Sequence, residues 1–163
     1  MSAIKTASLE SGVSASFFLV RMQLDDLSEV MEIENDVYPH PWTRGNFLDA
    51  LYSGYEIWAV RDESARLVGY FLLMLSVDEA HLLNIAVRRD VQGQGIGRLL
   101  LDNAVACARE QGMNSILLEV RPTNKRAVMV YQRYGFAGIG MRKGYYPSVN
   151  NYREDALVMR LTL

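Results

Sequence analysis

The chain has 163 residues, half of them hydrophobic, with a formal net charge of −2 at pH 7 and a single cysteine. That length supports one domain with a real core, the near-neutral charge argues against a nucleic-acid partner, and a lone Cys107 excludes an internal disulfide. No run approaches the roughly eighteen apolar residues of a membrane span and no charged segment precedes a long apolar one at the N-terminus, so we expect a cytoplasmic protein with no membrane partner.

Residues 1–16 are small, polar and without periodicity. They read as a loose N-terminal extension with no fold role, ahead of one domain spanning residues 17–163. Phe17 to Met22 reads as a strand. Asp25 or Asp26 then caps a helix, Glu29 following Asp26 as in a capping box; Leu27, Val30, Met31 and Glu34 share one face, so this helix buries a stripe and offers a carboxylate at its end. Pro39-His40-Pro41-Trp42 makes a stiff loop, and Thr43 caps a second, short helix whose apolar contacts are Phe47, Leu48 and Leu51. Glu56 to Arg61 and Leu67 to Val77 form a hairpin about a polar turn. A third strand, Ala80 to Val87, leads into a glycine-rich loop and a helix, Gly97 to Gln111, with an apolar stripe ended at Gly112. Ser115 to Arg121 completes a strand, loop, helix, strand order, which predicts a parallel pair. Asn124 to Tyr134 is a helix stopped by Gly135, and Phe136 to Met141 with Ala156 to Leu163 close the sheet. Between those last strands, Tyr145 to Tyr152 reads as a long aromatic loop of the kind that carries binding function.

The loop Gln92-Gly93-Gln94-Gly95-Ile96-Gly97-Arg98 is the stretch around which the chain is organised. Glycine permits positive φ and close approach of backbone to a ligand, and a helix start presents unpaired N–H groups and the positive end of its dipole to an anion. A phosphate or pyrophosphate is the implied ligand. A dinucleotide loop needs a third glycine where Arg98 stands, and a Walker loop needs a Gly-Lys-Ser/Thr ending that is absent. The pattern Q/R-x-x-G-x-G/A, filled by Gln92, Gly95 and Gly97, resembles the coenzyme A pyrophosphate loop of the GCN5-related N-acetyltransferases. The six residues alone also fit an ordinary helix-starting turn.

Glu119 stands in the apolar run Ile116-Leu117-Leu118-Glu119-Val120, where a buried carboxylate costs several kcal/mol unless paired or protonated. Two readings stay open: an ion pair with Arg121 two residues on, and a catalytic base raised by desolvation. Tyr131 reads as a core tyrosine or as an acid. Asn124 is an N-cap whose side chain could also reach a ligand. Cys107 lies mid-helix as a packing residue, and His40 and His81 lack ligand-like spacing, so no metal site is expected.

From about Phe17 to its end the chain resembles the RimI family within the GCN5-related N-acetyltransferases, enzymes that acetylate the N-terminal alanine of a small-subunit ribosomal protein. The matching stretches are Asn84-Ile85-Ala86-Val87, Gln92 to Arg98, Leu118-Glu119-Val120-Arg121 with Asn124, Tyr131 with Gly135-Phe136, Tyr145-Tyr146-Pro147 and Arg153-Glu154-Asp155-Ala156. The resemblance implies an α/β fold with a mixed, mostly antiparallel sheet splayed between the strands ending near Val87 and starting near Ser115. It implies acetyl-CoA as co-substrate, with Ile85, Ala86 and Val87 pairing with its pantetheine arm, Gln92, Gly93, Gln94, Gly95, Ile96, Gly97 and Arg98 holding its pyrophosphate, and Asn124 as a further contact. Glu119 would be the general base and Tyr131 the general acid of a direct transfer. Trp42, Tyr145 and Tyr146 would form an aromatic slot for the N-terminus of a ribosomal protein, with Glu34 attracting its basic tail. Gly93 stands where relatives often have a basic residue, and Arg88-Arg89 replaces a more acidic segment, so positive charge is expected to be placed differently. The rival readings are a lysine or small-molecule amine acetyltransferase of the same fold and a non-catalytic acyl-CoA sensor, which would not need Glu119 and Tyr131 together.

Overall fold

Strand β4 (Leu67–Leu75) is apolar along almost its whole length and buried from residue 67 to 73, as befits a strand covered on both faces. In the computed structural model, which describes residues 5–8 and 16–163, β4 belongs to the first of two compact units. That unit runs to Met74 and takes in Asn84–Ala104; the second comprises Leu75–Leu83 and Val105–Leu163. The divisions fall inside β4, β5 (Glu79–Val87) and α3 (Ile96–Glu110) and not in a linker, so no shift of composition marks them.

In the first unit an antiparallel series is built from β1 (Lys5–Ser8), β2 (Ser16–Arg21), β3 (Glu56–Arg61) and β4. β1 is an addition to the sequence expectation: Lys5–Ser8 pairs along the open edge of β2, a long-range partnership that leaves no periodic trace in four residues. The rest of the expected extension, residues 1–4 and 9–15, lies outside the described residues. Helix α1 (Leu27–Val37) buries Leu27, Val30, Ile33 and Glu34, and α2 (Arg44–Tyr52) buries Phe47 and Ala50. Thr43 caps α2 as expected, its hydroxyl accepting from the Asn46 N–H at 3.1 Å. Asp26 does not cap α1 in the expected way. A 3-10 turn at Leu24–Asp26 precedes the helix, and Glu29 instead accepts from Arg61 and from the Leu67 N–H, both at 2.9 Å. Gly69 is forced by packing, because a Cβ there would lie 2.9 Å from the Ala86 carbonyl oxygen.

In the second unit β6 (Ser115–Val120) pairs in parallel with the start of β5, Glu79↔Ser115 to His81↔Leu117, and antiparallel with β8 (Arg153–Thr162) along its whole length. β7 (Ala137–Pro147) completes the series against β8. The parallel pair is the consequence of the α3 crossover predicted from element order, and the mixed, mostly antiparallel α/β expectation holds. Helix α4 (Lys125–Tyr134) begins at Asn124, whose side chain accepts from the Ala127 N–H, and ends at Gly135 with φ of 124°. The expected long loop from Tyr145 to Tyr152 is much shorter. β7 continues to Pro147, with Tyr146 opposite Glu154 and Pro147 opposite Arg153, after a register shift between Arg142 and Tyr146. Gly144 takes φ of +59° at this irregularity, and its N–H donates to Asp155 at 2.8 Å. A glycine-bearing bulge thus lets an aromatic stretch that reads as a turn remain in the ladder.

Candidate active site

The glycine loop starts where β5 ends. The Arg88 N–H donates to the Val68 carbonyl at 2.7 Å, and the Gln92 side chain donates to the Val87 carbonyl at 3.0 Å, latching the loop back onto its own strand. Gly93 and Gly95 have φ of +79° and +86°, so both positions need glycine for conformation. Helix α3 begins at Ile96, its first turn marked by the Leu99 N–H on the Gly95 carbonyl at 3.0 Å. Gly97 lies inside the helix, and a Cβ there would meet only Val87 Cγ2 at 3.9 Å. Neither strain nor crowding within the protein therefore accounts for this glycine.

The residues on β5 expected to flank a cofactor are partly occupied. Ala86 is buried, the Ile85 carbonyl accepts a short hydrogen bond from the Tyr38 hydroxyl, and the Val87 carbonyl holds Gln92. The two arginines before the loop face α1: Arg88 pairs with Glu32 at 3.4 Å and Arg89 with Asp36 at 3.1 Å. With Arg66 and Asp90, themselves paired at 2.8 Å, and Asp36 they line a cavity of about 370 Å³.

Glu34 is not the exposed acid the sequence suggests. Its exposure is 1%. One carboxylate oxygen accepts the Tyr70 hydroxyl and the Asn84 amide (3.0 Å for the latter), and the other accepts the Trp42 backbone N–H at 2.9 Å. A charge can be buried when several donors replace water, and here the donors come from three separate segments. Burial, then the Glu34 charge, push the Tyr70 hydroxyl far above the ordinary tyrosine range, which keeps it a donor. Glu34 anchors the start of the Trp42 loop, whose ring packs on Phe47 at 5.3 Å, and is no docking point for a basic tail.

In the second unit Glu119 sits with its side chain 9% exposed between His81 and Arg142. One oxygen makes a short contact with His81 Nε2 and the other accepts from Arg142 at 3.2 Å. Burial works to raise its pKa, but the hydrogen bond and charge of His81, then of Arg142, outweigh burial and hold the carboxylate below its ordinary range. Both sequence readings of Glu119 therefore need correction. The base is not raised by desolvation, and Arg121 is not its partner: β6 ends at Val120, and Arg121 pairs with Glu154 at 3.1 Å while lying 4.4 Å over the Tyr146 ring. Arg142 in turn lies over Tyr145 at 4.6 Å, and the Tyr145 and Tyr146 rings meet edge to face at 4.8 Å. Tyr131 packs against Phe136 at 5.7 Å, and burial pushes its hydroxyl up to about 12. His81 and Arg142 escape the sequence reading, where His81 is weighed only as a metal ligand. Register carries the missed signal, since pairing His81 with Leu117 sets Glu119 one step along the same face. Cys107 is buried in α3. Among the described residues no group of three or more His, Cys, Asp or Glu side chains could hold a metal, and no helix is long and apolar enough to cross a membrane.

The model of the acetyltransferase (GNAT) family matches residues 27–136, well over half of the chain. This chain belongs to the GNAT acetyltransferases. The match takes in the glycine loop, Glu119, Asn124 and Tyr131, and it makes acetyl-CoA the acetyl donor of the family. Among curated relatives, the [ribosomal protein bS18]-alanine N-acetyltransferase of Escherichia coli K12 is 31% identical over 142 residues, 87% of this chain and 95% of that protein. The Haemophilus influenzae protein of the same name is 34% identical over 134 residues, 82% and 90% of the two chains. The crystal structure of the ribosomal-protein-S18-alanine N-acetyltransferase from Escherichia coli superposes with a TM-score of 0.81 at 30% identity, covering 90% of this chain and 93% of its own. The RimI resemblance drawn from the motifs is therefore matched across most of this GNAT enzyme.

Proposed function

We propose that this acetyltransferase moves the acetyl group of acetyl-CoA to the α-amine of an N-terminal alanine on a small-subunit ribosomal protein. The observation that carries the acceptor is the likeness, along most of both chains, to relatives named as alanine N-acetyltransferases of ribosomal protein bS18. Gly93, Gly95 and the first turn of α3 hold the cofactor's pyrophosphate through backbone N–H groups, and the bare backbone of Gly97 lets it approach. Ile85, Ala86, Val87 and Asn124 are the further cofactor contacts we assign. Trp42, Tyr145 and Tyr146 are the aromatic groups assigned to the acceptor.

Attack requires a neutral amine. An α-amine has a reference pKa of roughly 7.7–8.0 against about 10.4 for lysine, so its neutral fraction near pH 7 is larger by about two orders of magnitude. As the carbon–nitrogen bond forms and the carbon–sulfur bond breaks, the Glu119 cluster takes the amine proton and Tyr131 gives its own to the departing thiolate. The Tyr131 hydroxyl, at about 12, still carries that proton at neutral pH. No covalent enzyme intermediate is needed, and Cys107 takes no part.

The test offers acetyl-CoA with three competing peptides: one beginning Ala-Arg with a free N-terminus, its N-terminally blocked twin carrying a lysine, and one with a bulky first residue. Mass spectrometry should find the acetyl group on the α-amine of the first. A comparable rate on the blocked lysine peptide would refute the α-amine assignment, and equal use of the bulky peptide would refute the alanine preference.

A further inference from the structure

Glu119 is placed poorly for accepting a proton from an amine on its own. Both of its oxygens are engaged, by His81 and Arg142, and the side chain is 9% exposed. Its depressed pKa makes it a weak acceptor for a proton from a group titrating at roughly 7.7–8.0. The imidazole on its other side has a second ring nitrogen that the contact with Glu119 leaves unused. His81 is 19% exposed against 9% for the carboxylate. Because an ionised carboxylate only accepts hydrogen bonds, Nε2 must carry the proton in that contact. The Nδ1 lone pair then has no protein partner among the described residues.

We propose that the amine proton is taken by a His81–Glu119 dyad, with Nδ1 of the imidazole as the acceptor and the carboxylate as the group that positions the ring and supports the imidazolium. This rests on the acetyl-transfer reading above and names the atom that serves it. The N–H bond breaks with its electron pair left on nitrogen for the new carbon–nitrogen bond, and the proton goes to Nδ1. Among the described residues, the charged groups facing His81 are Glu119 on β6, in direct contact, and Arg142 on β7, which lies over the Tyr145 ring and pairs with the far oxygen of Glu119. Glu79, two residues earlier on the same strand, is tied to Ser115 at 2.6 Å and to Arg160 on β8 at 3.1 Å. Arg142 opposes a positive imidazole and is itself neutralised on Glu119.

Two measurements test the dyad. In the first, His81→Gln should lower kcat with an Ala-Arg peptide by about 10²-fold or more, leave the acetyl-CoA KM unchanged, and reduce the acid limb of the kcat/KM profile to the titration of the acceptor amine alone. Near-normal turnover with the acid limb intact would return the proton to Glu119 and overturn the proposal. In the second, ¹⁵N NMR of the wild-type protein, which has just two histidines, follows His81 without any substrate. We expect the Nε2-protonated tautomer and a titration that moves to lower pH in Glu119→Gln. An Nδ1-protonated ring, or a titration unmoved by Glu119→Gln, would refute the dyad whatever the acceptor is. Absence of wild-type turnover on the peptide would instead refute the acceptor assignment, and the NMR result would then decide the dyad.

Discussion

Replacing Glu34 by glutamine separates a buried anchor from an acid that greets substrate. The carboxylate receives three donors, from Trp42, Tyr70 and Asn84. An amide oxygen set where the Tyr70 and Asn84 bonds converge keeps both, but its NH₂ then faces the Trp42 N–H, donor against donor. One buried N–H is left unmatched at about 1–3 kcal/mol, and the two surviving bonds lose their charge assistance, so we expect a loss of about 2 kcal/mol or somewhat more. Urea unfolding at pH 7, followed by tryptophan fluorescence, should show the midpoint lowered by roughly 1 M for a slope near 2 kcal/mol/M. Hydrogen exchange of the Trp42 amide should quicken by about 30-fold, the factor that 2 kcal/mol represents. A docking acid would behave otherwise, leaving stability within about 0.5 kcal/mol and changing the salt dependence of KM for a basic peptide. That pattern would refute the anchoring role.

Two other substitutions separate conformation from chemistry. Gly97→Ala should stabilise α3 by up to about 1 kcal/mol, since the site is helical and its Cβ has room, yet weaken acetyl-CoA binding measured by calorimetry; unchanged affinity would move the pyrophosphate off this backbone. Glu119, held below its ordinary range, contributes stability that is fully present above the unfolded value of about 4.3 and is lost as pH falls through the lower folded value. The thermal midpoint of the wild type should thus fall with acid below about pH 4.3, and Glu119→Gln should flatten part of that fall; parallel curves would show the His81 and Arg142 contacts to be energetically idle.

Much of the element pattern was legible because strand and helix periods are local. β3 is found at the residues expected, α3 and β6 within a residue, and Thr43, Asn124 and Gly135 terminate helices through hydrogen bonds and φ angles that involve only near neighbours. β1 and the far end of β7 were not legible. Lys5–Ser8 is a strand only because β2 offers an edge, and Tyr145–Pro147 remains in the ladder only because Gly144 absorbs a register shift opposite β8.

The sequence by itself determined the glycine loop and the helix that follows it, the parallel crossover, and the identities of Glu119 and Tyr131 as candidates, since spacing and composition suffice for each. The partners of those groups were decided only by the tertiary structure. Glu119 could face Arg121, two residues away, or residues 38 and 23 positions distant, and nothing in the order of amino acids ranks these choices. Strand register ranks them: the β5–β6 pairing brings His81 alongside, the β7–β8 ladder carries Arg142 in, and the end of β6 at Val120 releases Arg121 to Glu154. The same holds for Glu34, read as an exposed carboxylate from its position near a helix end and buried because Tyr70, Asn84 and Trp42 converge on it. A charge finds its partner through space, and the pKa that follows is a property of the packed structure.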